Sequence, residues 1–198
     1  MTIPYNHHQV LMEVLTKYFG TEKPVVGIDI GTYCGDSARA MLWALPQAHV
    51  YTIDPWIHNP GHEFEAGELQ PFHNANKELA LSKFAADDIK DRIHVLEMTS
   101  MDAHKHITEV LGIKEVDFVW IDGNHEPEAV RQDIEMFFPL VKPNGIFGGH
   151  DFGQIWPLTQ IIFEKFSGKI WSGPDFAWWV YRSKLYEFQY YRSKQRTS

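Results

Sequence analysis

The sequence predicts a doubly wound α/β domain: a mostly parallel seven-stranded sheet with a C-terminal antiparallel hairpin and helices on both faces. Three observations carry this expectation. Five short apolar or β-branched runs recur along the chain, amphipathic stretches of helical length separate them, and polar and glycine residues gather directly after each run. Strands covered on both faces need nearly continuous apolar side chains, and parallel neighbours need a long crossover between them.

The elements follow in order. Val10, Leu11, Val14, Leu15 and Tyr18 recur at helical spacing, so residues 8–19 predict a helix ahead of the first strand, within an N-terminal segment 1–22. The five runs are 24–30 (PVVGIDI), 49–53 (HVYTI), 93–96 (IHVL), 116–121 (VDFVWI) and 145–148 (GIFG), the last opened by the turn Pro143-Asn144-Gly145. Helices are predicted near 36–45, 74–86, 101–111 and 125–138. Two final strand candidates, 169–171 and 176–181, flank Ser172-Gly173-Pro174, a connection short enough to make that pair antiparallel. Residues 56–73 begin WIHNPGHEFEAGELQPF and show no period, which suits a lid or substrate loop.

Composition bounds the function. With 198 residues, 44% hydrophobic and 14% aromatic, the chain fits one domain (1–198) with a real core. A lone cysteine, Cys34, excludes a disulfide scaffold, and no apolar run reaches the length of a membrane span. The opening residues lack the basic and apolar regions of a signal peptide, so the expected setting is cytoplasmic. A net charge of −8 opposes nucleic-acid binding. The charge is uneven: residues 181–198 hold five cations against Glu187, giving a basic tail at 183–198.

In an open parallel sheet the residues after every strand share one carboxyl edge, where ligands bind at the reversal of strand order. Here that edge collects Asp29-Ile30-Gly31-Thr32-Tyr33-Cys34-Gly35-Asp36-Ser37, Asp54-Pro55-Trp56, Glu97-Met98-Thr99-Ser100, Asp122-Gly123-Asn124-His125 and Gly149-His150-Asp151. Gly31 and Gly35 permit a tight turn and close approach to a ligand at a helix N-terminus. A carboxylate at the end of the second strand, Asp54, suits the two hydroxyls of a ribose. The G-x-x-x-G spacing departs from the dinucleotide fingerprint G-x-G-x-x-G.

These motifs, with Leu140 to Asp151 (LVKPNGIFGGHD), resemble class I S-adenosylmethionine-dependent methyltransferases with a Rossmann-like sheet. They are most similar to the small-molecule branch of macrocin-type O-methyltransferases and cephalosporin hydroxylase-like proteins. The resemblance spans about residues 24–152 and implies S-adenosylmethionine as cofactor and a small-molecule acceptor, methylated at a hydroxyl. It implies that Asp29, Gly31, Thr32, Tyr33, Gly35 and Ser37 surround the methionine part of the cofactor, with Asp29 near the ammonium. Asp54 would bind the ribose, Ser100 and Met101 would border the adenine, Trp56 would offer a stacking face, and Asp122 is placed among the cofactor-binding residues. It also implies a divalent metal at Asp122, His150 and Asp151. A histidine in that set favours Mn²⁺, Fe²⁺ or Zn²⁺ over Mg²⁺.

Methyl transfer to a hydroxyl needs alignment and removal of a proton. His125 is the first candidate base and His150 the second, both beside Asp122. Elsewhere, Cys34 reads as a packed residue, and His7-His8 as a solvated helix start. His58, His62 and His73 with Glu63, Glu65 and Glu68 read as an acceptor lining more than a second metal site. Two other functions stay open. One is an NAD-dependent oxidoreductase, disfavoured by the glycine spacing and the lack of a helical Tyr-x-x-x-Lys pair. The other is a non-catalytic S-adenosylmethionine-binding protein. The leading helix and terminal hairpin could also pair two copies as a homodimer.

Overall fold

The computed structural model describes residues 6–58, 69–86, 88–167 and 169–183. Most of the lid segment 56–73 and all but the first residue of the tail 183–198 lie outside them.

Seven strands form one sheet: β1 (Val25–Ile30), β2 (Ala48–Ile53), β3 (Ile93–Leu96), β4 (Val116–Ile121), β5 (Val141–Gly149), β6 (Trp171–Ser172) and β7 (Trp178–Tyr181). Their spatial order is β3-β2-β1-β4-β5-β7-β6. The first five are mutually parallel, while β7 runs antiparallel to both β5 and β6. Strand order reverses between β1 and β4, so a crevice opens beyond the carboxyl ends of those two strands. Alternation along the strands splits the core between two faces. Val119 and Ile121 face one cluster with Val130, Ile134 and Phe137; Phe118 and Trp120 face the other with Leu11, Met41 and Phe84.

The helices are α1 (His7–Phe19), α2 (Asp36–Ala44), α3 (Gln70–Phe84), α4 (Ser100–Lys105), α5 (Pro127–Phe137) and α6 (Trp156–Phe166). Helix α1 starts one residue earlier than the periodicity predicts, because Asn6 and Gln9 form a capping box: Asn6 Oδ1 accepts from Gln9 N at 3.1 Å and Gln9 Oε1 from Asn6 N at 2.9 Å. Helix α3 begins inside the segment read as a lid, with Pro71 in its first turn where its missing N–H costs nothing. The stretch read as one helix at 101–111 is α4 followed by a wider π-turn, His106–Val110. Helix α6 has no counterpart among the predicted helices. Its run WPLTQIIFEKF buries Leu158, Ile161, Ile162 and Phe166 at helical spacing and exposes Gln160, Glu164 and Lys165, so an amphipathic period is present in the sequence. No helix among the described residues is long and apolar enough to cross a membrane.

Candidate active site

The loop after β1 is shaped by backbone. Gly31, Tyr33 and Gly35 all have positive φ (94°, 48° and 85°). A Cβ on Gly31 would stand 2.0 Å from the carbonyl oxygen of Asp122, so only glycine lets the loop lie against the end of β4. Gly35 caps α2 without a side-chain hydrogen bond, leaving main-chain N–H groups at the helix start for an anion.

Beneath this loop Asp29 is wholly buried. Its Oδ2 accepts from Ser37 Oγ at 3.0 Å and Thr52 Oγ1 at 2.8 Å. Thr52 therefore spends its proton on Asp29 and accepts from Thr32 Oγ1 at 2.6 Å. Asp29 Oδ1 is buried with no hydrogen-bond donor. Burial raises the Asp29 pKa to about 7, against the opposing hydrogen bonds from Thr52 and Ser37. An orphan carboxylate oxygen and an uncapped helix start, one on each side of a glycine loop, suit the ammonium and carboxylate of an amino-acid zwitterion. Ser37 and Thr32, expected around the cofactor, work one step removed by holding Asp29 and Thr52.

Asp54 joins the first two loops. Its Oδ2 accepts from Tyr33 N at 2.8 Å and its Oδ1 from Trp56 N at 2.7 Å. These two bonds hold the Asp54 carboxylate at the end of β2, on the edge where a ribose would be met. The expectation for Trp56 needs correcting. Its ring is 3% exposed in the core on the α1–α3 side, and its Nε1 donates to Tyr33 O at 2.8 Å. An indole buried on its faces and bonded at its edge buttresses the loop and offers no stacking face. Met101 is exposed at the start of α4. The Ser100 hydroxyl is drawn to Asp133, a buried acid whose pKa burial raises to about 6.

The acceptor side forms at the ends of β4 and β5. Asp122 N donates to Ile30 O at 2.8 Å, and His150 N to Ile121 O at 3.2 Å, so strand pairing itself sets both residues on the rim. Asn124 Oδ1 accepts from Glu126 N at 2.7 Å, and the turn it makes presents His125 before α5. Asp151, at φ 64°, turns the chain toward α6. His125 Nε2 lies 2.8 Å from Asp151 Oδ2 and 3.9 Å from Asp122 Oδ1. His150 Nδ1 lies 3.1 Å from Asp151 Oδ1 and 3.5 Å from Asp122 Oδ1. Hydrogen bonds that His125 donates to Asp122 and Asp151 lift its pKa to about 10. For His150 burial opposes the charge, but the same two carboxylates prevail and hold it near 10. Burial likewise opposes the charge on Asp122 and Asp151, and their histidine partners outweigh it, leaving both below the ordinary carboxylate range. The quartet is two imidazolium and two carboxylate groups interlocked.

Ligand atoms of Asp122, His125 and Asp151 lie within 4.8 Å of one another, a mixed nitrogen and oxygen set that fits a divalent cation. The set expected from the sequence is Asp122, His150 and Asp151, and His150 Nδ1 does lie 3.5 and 3.1 Å from those carboxylates; His125 also groups with the two carboxylates, and His150 also groups with His7 and Asp175. His7 and Asp175 are rim residues that sequence reasoning missed. The Asn6-x-x-Gln9 box was the available signal for where α1 starts, but no local pattern connects it to the turn at Pro174-Asp175.

A glycine loop on β1, a carboxylate ending β2, strand order 3-2-1-4-5-7-6 and a polar cluster ending β4 and β5 define a class I methyltransferase fold. A family model described as a methyltransferase domain matches residues 28–152. The chain belongs to that family and is an S-adenosylmethionine-dependent methyltransferase. Solved structures share the fold. The O-methyltransferase NovP superposes with a TM-score of 0.66 at 16% identity, over 89% of this chain and 79% of NovP. CalS11, a TDP-rhamnose 3′-O-methyltransferase of calicheamicin biosynthesis, gives 0.61 at 15% identity over 88% and 80%. A Staphylococcus aureus protein named for caffeoyl-CoA O-methyltransferases gives 0.61 at 13% over 90% and 83%.

Proposed function

We propose that this methyltransferase acts on a hydroxyl of a small molecule. The observation that carries the reading is the His125–Asp151 contact of 2.8 Å beside Asp122, whose carbonyl oxygen abuts the Gly31 loop. A proton-accepting imidazole, oriented by a carboxylate, thus adjoins the loop that would hold the methyl donor. NovP and CalS11, both O-methyltransferases by name, support the reading.

In the reaction the acceptor oxygen attacks the methyl carbon in line with the sulfonium, the carbon–sulfur bond breaks, and S-adenosylhomocysteine leaves neutral at sulfur. The hydroxyl proton passes to His125 in its neutral form, and the resulting imidazolium is held by Asp151. Asp29 faces the cofactor ammonium, Asp54 the ribose, and the start of α2 the carboxylate. Asp122, His125 and Asp151 would alternatively hold a divalent cation; when bound, it would supply polarisation of the acceptor oxygen in place of the base, with His125 then a ligand and not the proton acceptor.

Calorimetric titration with S-adenosylmethionine, S-adenosylhomocysteine and NAD tests the donor half. Micromolar affinity for the two S-adenosyl ligands and none for NAD is expected; binding of NAD alone refutes it. Asp122→Asn, assayed by methyl transfer to a panel of hydroxylated acceptors, should lose turnover while keeping cofactor affinity. Retained turnover would remove Asp122 from the catalytic set.

A further inference from the structure

His7 stands where the sequence suggested only a solvated helix start. The capping box fixes it as the first residue of α1, and its main-chain N–H and Nδ1 both meet Asp175 Oδ2, at 2.9 and 2.6 Å. Asp175 lies between β6 and β7 in a left-handed conformation, φ 54°, that turns it toward α1. On its other side the His7 ring packs on His150, with centroids 4.1 Å apart and planes tilted by 38°. His150 has Nδ1 directed at the rim carboxylates and Nε2 buried without any hydrogen-bond partner.

We propose that His7, His150 and Asp175 form a second divalent-cation site, separate from the Asp122, His125 and Asp151 set. One ligand atom from each of the three lies within 4.8 Å of the other two. The chemistry of His150 is the strongest support. A ligating histidine characteristically donates its other ring N–H to a carboxylate, which fixes the tautomer and leaves the second nitrogen's lone pair for the metal. His150 Nδ1 has that partner in Asp151, and Nε2 is the nitrogen left without one. Two imidazoles and one carboxylate suit Zn²⁺, Co²⁺ or Fe²⁺ and leave a fourth position for water or a ligand atom; Mg²⁺ prefers oxygen alone.

The three ligands come from α1, the end of β5 and the β6–β7 turn, segments that only tertiary structure joins. A cation there ties the start of α1 to the terminal hairpin across the acceptor rim. His7 Nε2 lies 3.8 Å from Asp122 Oδ2, so the two sites adjoin through Asp122. An exposed His7–Asp175 ion pair by itself would contribute little, and it accounts for neither the buried His150 nitrogen nor the close, tilted packing of the two rings.

The test is titration of the EDTA-stripped full chain with Co²⁺, read by visible d–d absorption, with the melting temperature followed in parallel. To separate the two sites, it is run in wild type and in His125→Ala, which removes a ligand of the first site only. Co²⁺ should bind in both backgrounds and raise the melting temperature. His7→Ala, His7→Gln and Asp175→Ala should each weaken this binding at least tenfold in the His125→Ala background. His49→Ala, which removes half of the surface pair His49–His94, should leave it unchanged. S-adenosylhomocysteine affinity should persist in every variant, which separates a failure of this site from a failure of the methyltransferase reading. No Co²⁺ binding after His125→Ala, wild-type binding in the His7 and Asp175 variants, or a loss that follows His49→Ala would each overturn the proposal.

Discussion

Gly31→Ala is the substitution whose consequence is most directly set by geometry. A Cβ there would stand 2.0 Å from the Asp122 carbonyl oxygen, 2.4 Å from its carbon and 2.6 Å from Gly123 Cα, whereas ordinary contact begins at 3.4 Å. Backbone on both sides leaves no flexible side chain to yield, so the loop and the end of β4 must separate. That strains the bonds Asp122 N to Ile30 O (2.8 Å) and Gly31 N to Ile53 O (2.9 Å), each worth about 1 kcal/mol net. The backbone at φ 94° adds about 1–2 kcal/mol for an L side chain. The sum is roughly 3–4 kcal/mol, a large share of the stability of any domain and on the order of 10 °C in melting temperature. Two controls divide it. Gly153→Ala has φ 91° with nothing within 4 Å, so it should show the backbone cost alone, about 1–2 kcal/mol. Gly123→Ala meets Ile30 Cγ2 at 3.4 Å without a positive φ and should be nearly neutral. Urea unfolding with calorimetric titration of S-adenosylhomocysteine measures both effects, and Gly31→Ala should also lose more than tenfold in affinity. Stability equal to that of Gly153→Ala, with wild-type affinity, would refute the role given to this contact.

Other perturbations test the remaining parts. Asp54→Ala leaves Tyr33 N and Trp56 N without their acceptor and removes the ribose contact, so S-adenosylhomocysteine affinity should fall more than tenfold; unchanged calorimetric affinity would exclude the ribose assignment. Asp29, raised to about 7 by burial, favours its proton in the folded state. Its contribution to stability is complete below its unfolded value of 3.8 and is lost as pH rises through about 7. A cofactor ammonium favours the ionised form, so S-adenosylmethionine affinity should rise with pH up to about 7, with proton release seen as a buffer-dependent binding enthalpy. Asp29→Asn should abolish both effects, and a pH-independent wild-type affinity would remove Asp29 from contact with the ammonium. His125, near 10, stabilises the fold fully below 6.5, and that stabilisation is lost as pH rises through about 10. In EDTA the neutral base becomes more populated over the same range, so kcat should climb from pH 7 toward 10 in wild type and stay flat in His125→Gln. A flat wild-type profile would exclude His125 as the base.

Much of this protein is local chemistry and therefore legible in sequence. Unbroken apolar runs such as 116–121 can be satisfied only between two layers of helices, and the residues that follow parallel strands must meet at one edge. From that alone came the sheet, the glycine loop, Asp54 and the Asp122, His150 and Asp151 rim. At α6 the period is present but blurred: Leu158, Ile161, Ile162 and Phe166 recur at helical spacing opposite Gln160 and Glu164, while the exposed Trp156 and Phe163 place large apolar side chains on the outer face. Composition likewise could not show that the Trp56 indole turns inward to hold Tyr33 O. What only the tertiary structure decided is which of the rim groups touch. The pairing of His125 with Asp151 depends on the left-handed turn at 151, and that of His7 with Asp175 on the hairpin folding back so that β7 lies beside β5. These contacts join residues as far apart as 7 and 175, and pairing energies that arise only after the chain has closed leave no periodic trace along it.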